Sequence, residues 1–321
     1  MATGTRTYEQ VNNEAMEYYG KGEFAKVYDL LTAEEAHYPD QKAEILYLRS
    51  CMAARAGDNA LAIGLIREAR DQGIWYGETM MRESPSWKPL QGIPEFEELT
   101  EEFKAQQLAA NASPMLFISE PDAGCSPDKP CPVLLALHGN GANGKTAQLG
   151  WQSVVVQGWL LAAAQSSQAG MTDAYIWDNQ ETALREIAAH YSTLRDGHNI
   201  DPGKVVIGGF SMGGETALRA ALLGTIPVRG FILLAPGGPT IDAAKEWLPL
   251  IESANGRNLR GYVFLGEEDN TVPHEEIRTI VTSLNNHGIP CELEMVPGIA
   301  HAYPEDFAPR LQRALAFVLA E

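Results

Sequence analysis

One serine in this chain sits where its hydroxyl could become a nucleophile. Ser211 lies in Gly208-Gly209-Phe210-Ser211-Met212-Gly213-Gly214, with a glycine two residues to either side. The β-branched run Val205–Ile207 precedes it, and the helix-forming run Glu215–Leu223 follows. The stretch predicts a strand that turns abruptly into a helix, with the serine at the corner in a strained conformation and its hydroxyl exposed. Glycines at those spacings remove Cβ atoms that would clash across the tight turn. The helix start after the serine would aim free N–H groups at charge developing on an attacked carbonyl. Taken alone, the same residues also describe a Gly-rich turn after a buried strand, so the context has to decide.

A serine hydroxyl is a weak nucleophile at neutral pH and needs a base within hydrogen-bond reach, itself held by a third group. Downstream of Ser211 there are three histidines, His274, His287 and His301. His287 ends a helical stretch in Asn-Asn-His-Gly and reads as a solvated cap. His274 follows Val272-Pro273 and could approach the site as a binding residue. His301 alone falls in a loop directly after the last apolar run, in Pro297-Gly298-Ile299-Ala300-His301. For the acid, Glu267, Glu268 and Asp269 compete within Gly266-Glu267-Glu268-Asp269-Asn270-Thr271-Val272-Pro273. Upstream, His138-Gly139-Asn140-Gly141 forms a further polar loop.

The elements that must position these residues follow from the hydrophobic pattern. From residue 113 onward, apolar runs of strand length alternate with helical stretches. The runs are Met115–Ile118, Val133–Leu137, Trp159–Ala164, Val205–Phe210, Gly230–Leu234, Gly261–Leu265 and Cys291–Val296. Candidate helices are Glu181–Arg195, Gly213–Leu223, Ile241–Ser253, His274–His287 and Asp306–Leu319. This alternation predicts an α/β fold, a mostly parallel sheet with helices on both faces. In such sheets the chemistry sits beyond the carboxyl ends of the strands. All four polar loops fall there, each at the end of its own apolar run.

With Ser, then acid, then His in chain order, residues 113–321 resemble the α/β-hydrolase superfamily. The patterns His-Gly-x-Gly, Gly-Phe-Ser-x-Gly-Gly, Gly-x-x-Asp-x-x-Val-Pro and Gly-x-x-His are most similar to its carboxylesterase, phospholipase and dienelactone-hydrolase-like group. The resemblance implies Ser211 as nucleophile, His301 as base and Asp269 as the acid that orients it. It also implies oxyanion donors from the backbone N–H groups of Asn140 and Met212, and neither cofactor nor metal. His138, Gly139, His274 and Trp177 stand as substrate-binding candidates. Two have an architectural alternative: His138 as an anchor of its loop, and Trp177, like Trp151 and Trp159, as core. Two departures leave the acyl preference open. Met212 follows the nucleophile where many such esterases carry Gln, and the oxyanion loop is His-Gly-Asn-Gly, not a Gly-Gly-Gly form.

Residues 1–112 read as a separate helical domain. Tyr18–Val27 aligns with Ala53–Ala62, so that Gly22 and Gly57, Val27 and Ala62, and Leu31 and Ile66 correspond. This spacing is close to the tetratricopeptide period, and the segment resembles two degenerate tetratricopeptide repeats. Pro39-Asp40 forms the junction, and Leu90 through Pro94-Glu95-Phe96 to Leu99 forms a closing tail. That likeness implies a role in binding a peptide partner, in homo-oligomer formation or as a lid.

The net charge of −18 disfavours nucleic acid and other polyanions as partners. No stretch is apolar enough for a membrane span, and the first residues lack the apolar run of a secretory leader. The expectation is therefore a cytoplasmic protein with reduced thiols, although Cys125 and Cys131 are close enough in sequence to bridge in an oxidising setting. The leading functional reading is a serine esterase acting on a small-molecule ester through an acyl-enzyme. A serine peptidase or acyltransferase on the same residues, and a peptide-binding scaffold with a vestigial hydrolase domain, remain as alternatives.

Overall fold

A computed structural model describes residues 6–110 and 112–320. The chain divides into two compact units that are not contiguous in sequence. One is Met1–Asn111 with Ala169–Thr172, and the other is Ala112–Gln168 with Asp173–Glu321.

The first unit is helical: α1 (Tyr8–Gly20), α2 (Phe24–Glu34), α3 (Lys42–Arg55), α4 (Asn59–Asp71), α5 (Glu78–Glu83) and α6 (Pro94–Ala109). Local chemistry sets its boundaries. Thr7 and Gln10 form a reciprocal capping box at the start of α1, and Asp58 caps α4 through the Leu61 N–H. Gly22 and Gly57, one period apart, both adopt the left-handed conformation between helices, at φ 73° and 85°. The expected repeat therefore corresponds to two helix–turn–helix pairs, α1–α2 and α3–α4. Their buried faces meet through Val11, Val27, Leu31, Ile45, Leu46, Ala62 and Ile66. Trp87 fills the centre, stacked edge-on to Tyr47 at 4.9 Å, with its Nε1 donating to Ser50 Oγ at 3.1 Å. Residues from the middle of the chain join this unit by backbone bonding. Gly77 N donates to Gly170 O at 2.6 Å, and Thr172 N donates to Trp75 O at 3.2 Å.

The second unit runs β1 (Met115–Ser119), β2 (Cys131–Leu137), α7 (Gly144–Trp151), β3 (Leu160–Gln165) and, after β4 (Ala169–Met171) of the helical unit, β5 (Ala174–Tyr175). It continues with α8 (Gln180–Gly197), β6 (Ile200–Phe210), α9 (Met212–Leu223), β7 (Gly230–Leu234), α10 (Leu248–Ser253), β8 (Arg260–Gly266), α11 (His274–Asn286), β9 (Cys291–Val296) and α12 (Phe307–Val318). Among the described residues, seven strands form one sheet in the order β1-β3-β2-β6-β7-β8-β9, with β1 antiparallel and the others parallel.

The central strands are apolar on both faces because both faces are covered. In β2, Val133, Leu135 and Leu137 join one core layer, while Leu134 and Ala136 join the other. The first layer includes Ala183 and Ile187 of α8, Ala217 of α9 and Ile277 of α11. The second includes Ala147 and Trp151 of α7 and Leu311 and Leu315 of α12. The edge strand β9 alternates instead. Its Glu294 takes a hydrogen bond from the Tyr262 hydroxyl and ion pairs with Arg310 and Arg313.

Two expectations are corrected. The helix expected over Ile241–Ser253 begins later, with a 3₁₀ turn at Ala244–Trp247 leading into α10. Residues 235–243 instead form a loop, anchored to α9 where Glu215 and Arg219 bond Thr240. Cys125 and Cys131 are joined in a disulfide with Cα atoms 5.3 Å apart, against the expectation of reduced thiols. The intervening loop doubles back, with Ser126 and Lys129 exchanging backbone hydrogen bonds, and this brings the two sulfurs together. Cys51 and Cys291 are free and buried. Among the described residues, no helix is long and apolar enough to cross a membrane.

Candidate active site

The corner after β6 has the geometry its sequence predicts. Ser211 lies between β6 and α9 at φ 52°, ψ −124°, a conformation that a non-glycine residue holds only at a cost of about 1–3 kcal/mol. Backbone bonds lock it there. Its N–H donates to Leu234 O at 3.0 Å, and its carbonyl accepts from Gly214 N at 2.8 Å and Gly237 N at 3.0 Å. A Cβ on Gly209 would collide with the Gly213 carbonyl across the turn. A Cβ on Gly213 would collide with the carbonyls of Leu137 and His138, so this second glycine also lets the loop after β2 approach the corner.

The loops after β8 and β9 bring an acid and a histidine to this corner. His301 Nε2 lies 2.9 Å from Ser211 Oγ, and His301 Nδ1 lies 2.8 Å from Asp269 Oδ2. Asp269 is buried, and its Oδ1 accepts the N–H groups of Thr271 at 2.8 Å and Val272 at 3.3 Å. Burial works against its charge, but the bond to His301 and the two N–H donors hold the carboxyl below its usual range. Gly266, at the end of β8, allows this meeting. A side chain there would strike the carbonyls of Ile299 and Ala300, which lead into His301. Phe210 adds a contact that sequence reasoning missed. Its ring stacks on His301 at 4.8 Å and on Tyr303 at 5.0 Å, fixing the imidazole from the side.

His138 is buried, and each of its nitrogens has one partner. Nδ1 lies 2.8 Å from Gly139 O, and Nε2 accepts from Ser166 N at 3.3 Å. This pairing requires the neutral tautomer with its proton on Nδ1. Burial pushes its pKa down to about 4, with the bond to the Gly139 carbonyl working the other way. Trp177 is likewise fully buried. Its Nε1 donates to His138 O at 2.9 Å, and its N–H meets Met212 Sδ at 3.4 Å. The ring lies over His138 with centroids 4.8 Å apart.

His138 and Trp177, named as substrate-binding candidates, are both buried and packed behind the loop. The same holds for Trp151, which packs on Tyr303 and Phe307, and for the buried Trp159. Gly139 is buried against Phe210. His274 opens α11 and is half-buried, and His287 caps the end of that helix.

Trp177 thus ties together the two segments that carry Asn140 and Met212. Met212 is the first residue of α9, where a helix leaves its N–H groups without intrahelical acceptors. Among the described residues, neither the Asn140 nor the Met212 N–H meets a protein acceptor. Two free N–H groups, a hydroxyl on an imidazole and an imidazole on a carboxylate are the parts that acyl transfer requires.

The sheet order, the corner after β6 and the loops beyond the strand ends define an α/β-hydrolase fold. The chain belongs to the dienelactone hydrolase family, whose model matches residues 142–316. Residues 7–111 match the model of the N-terminal domain of A/B hydrolase-like proteins. No curated protein sequence matches the chain.

Among solved structures, the chain is similar to an uncharacterized protein from Bacillus cereus ATCC 10987. The two share 30% identity over 98% of this chain and 99% of that one, with a TM-score of 0.54. Esterase PE8 is 18% identical over 64% of this chain and 99% of its own, with a TM-score of 0.54. Est1E from Butyrivibrio proteoclasticus, solved with ferulic acid bound, is 14% identical over 64% of this chain and 94% of its own, with a TM-score of 0.51. At such identities the two esterases share the fold. The chain is a hydrolase of the α/β type.

Proposed function

We propose that the protein cleaves carboxylic esters of small molecules by way of an acyl-enzyme on Ser211. The carrying observation is the series Ser211 Oγ, His301 and Asp269, joined at 2.9 and 2.8 Å. His301 Nε2 takes the proton from Ser211 Oγ as Oγ bonds to the ester carbonyl carbon. The Asn140 and Met212 N–H groups stabilise the oxyanion of the tetrahedral intermediate. Collapse of that intermediate breaks the bond to the alcohol oxygen, which leaves with the proton from His301. Water then attacks the acyl-serine with the same base. Asp269 keeps the Nδ1 proton in place and stabilises the imidazolium without being protonated.

Replacing Ser211 by Ala is expected to abolish hydrolysis of p-nitrophenyl acetate while the folded protein and its Tm are retained. A wild type that cleaves peptides but no ester would sink the ester reading and leave the peptidase alternative. The helical residues 1–112 are proposed as a domain distinct from the hydrolase domain at 113–321. The Cys125–Cys131 bond favours an oxidising compartment over the cytoplasm expected from the sequence. Mass measurement of the intact protein with and without reductant tests this: two free thiols at these positions in freshly isolated protein would restore the cytoplasmic reading.

A further inference from the structure

Beside Ser211, the loop after β7 is clasped by a buried carboxylate for which the proposed reaction has no use. Glu215, one turn into α9, is fully buried. Its Oε1 accepts the Thr240 hydroxyl, and its Oε2 accepts the Thr240 N–H at 3.4 Å. Arg219, one turn further along α9, donates from Nη2 to Thr240 Oγ1 at 2.9 Å. Trp247 Nε1 donates to the Thr240 carbonyl at 2.9 Å, and the Arg219 guanidinium lies over the Trp247 ring at 4.8 Å. Every polar group of Thr240 is therefore engaged, and Arg219 Nη2 itself lies 3.9 Å from Glu215 Oε1. Burial pushes the Glu215 carboxyl up, while Thr240 and Arg219 work against that shift.

Residues 235–240, which this clasp holds, wall the nucleophile on one side. Gly237 N donates to Ser211 O at 3.0 Å. A methyl placed on Gly237 would lie 3.6 Å from Ser211 Oγ and 2.8 Å from Val272 Cγ1. Gly238 has φ 144°, a conformation side chains rarely adopt, and a Cβ there would collide with the Glu215 carboxylate. The loop is thus bare where it faces Ser211 and fixed one step further on.

We propose that Glu215, acting through Thr240, is a positioning residue that sets how much bulk a substrate can carry beside Ser211 on the Gly237–Val272 side. The proposal rests on Ser211 being the nucleophile, and on the ester reading only for the kind of substrate. A carboxylate has two acceptor oxygens for the two donors of Thr240, whereas an amide has one and turns a donor toward the other. Glu215→Gln therefore unseats Thr240 with little change in volume. Thr240→Val removes the hydroxyl, and Thr240→Ser keeps it.

The test is the second-order rate of Ser211 labelling by fluorophosphonates carrying either a methyl or a bulky branched substituent, alongside kcat and KM for esters of matching size. Glu215→Gln and Thr240→Val are expected to shift the bulky-to-small labelling ratio by about fivefold or more, with Thr240→Ser close to wild type. For bulky esters the shift appears in KM before kcat. Gly237→Ala is expected to slow bulky labels about tenfold relative to small ones, with relief in Gly237→Ala/Val272→Ala. If Glu215→Gln and Thr240→Val lower Tm but slow all labels in one proportion, the clasp is merely structural and the proposal is overturned. If neither variant folds, a wild-type ratio in Gly237→Ala overturns it. A wild type that is labelled but hydrolyses no ester defeats the ester reading alone, and the labelling ratios still decide this one. A folded wild type that takes no label defeats both.

Discussion

The helical unit and the hydrolase unit bury different things. Among the described residues, the helical unit's buried polar groups are Arg49, three serines and Thr100. Each has a partner within the unit. Arg49 pairs with Glu35 and lies over the Tyr28 ring, and Thr100 donates to Phe96 O one turn back at 2.8 Å. The hydrolase unit buries His138, Glu186, His190, Glu215 and Asp269, and most of their partners come from distant parts of the chain. Glu186 accepts from Ser167, Glu215 from Thr240, and Asp269 meets His301. A buried ionisable group costs free energy unless it is paired. The helical unit meets this demand once, at Arg49, and the hydrolase unit repeatedly, by bringing strand-end loops to its buried carboxylates. The proposed site lies where the second solution is used.

That contrast can be broken most sharply at Asp269. Asp269→Asn keeps the shape but removes the charge that holds the His301 tautomer, so kcat/KM is expected to fall on the order of 10³–10⁴ with little change in Tm. A comparable rate in the variant would show that the buried acid of this unit is as structural as Arg49 in the other.

The helical unit should respond in the opposite way. Trp87→Ala removes its central ring and is expected to cost about 3–5 kcal/mol in the unfolding of that unit. Below the transition, kcat/KM should stay within about twofold. Calorimetry and an ester assay on the same sample check this, and a parallel loss of rate would erase the distinction.

A pH series addresses His138. Its folded pKa is lowered from 6.5 to about 4, so the unfolded chain takes up its proton first as the pH falls. The neutral form's contribution is fully present above about pH 6.5 and is lost between there and about pH 4. Between about pH 7 and pH 5, wild type should lose about 2 kcal/mol of stability from this residue. His138→Gln should lose correspondingly less over the same range. Urea unfolding at the two pH values reads the difference, and equal slopes would remove His138 from the set of titrating buried groups.

The smallest effect is expected at Asn140. Asn140→Ala leaves the backbone N–H in place and should lower kcat by less than about tenfold, against the 10²–10³ typical of losing an oxyanion donor. A larger drop would assign the work to the side chain.

Much of this contrast is legible in the linear chain, for reasons tied to particular residues. The runs Val133–Leu137 and Val205–Phe210 read as central strands because a strand covered on both faces must be apolar at every position. Gly209, Ser211 and Gly213 read as a corner because the turn leaves no room for Cβ atoms. The helical unit's repeat is visible because its contacts are local and return with each helix pair. Less legible were the features that depend on what arrives from elsewhere. Tryptophan at 177 is equally good as a pocket wall or a core residue, and its bonds to His138 and Met212 decided between them. The turn that joins Cys125 to Cys131 depends on Ser126 and Lys129 pairing, which no composition signals. Residues 169–172 carry no mark of belonging with helices far earlier in the chain.

The sequence by itself determined the strand–helix alternation, the strained serine corner and the order of the polar loops, because these follow from local sterics and from the periodicity of burial. Only the tertiary structure decided how closely Asp269 meets His301, which aromatic rings stand behind the loop after β2, and how Glu215 holds Thr240. Those choices rest on hydrogen bonds between residues far apart in the chain. A buried charge finds its partner through the packing of the whole sheet, and the partner's place in the sequence gives no sign of it.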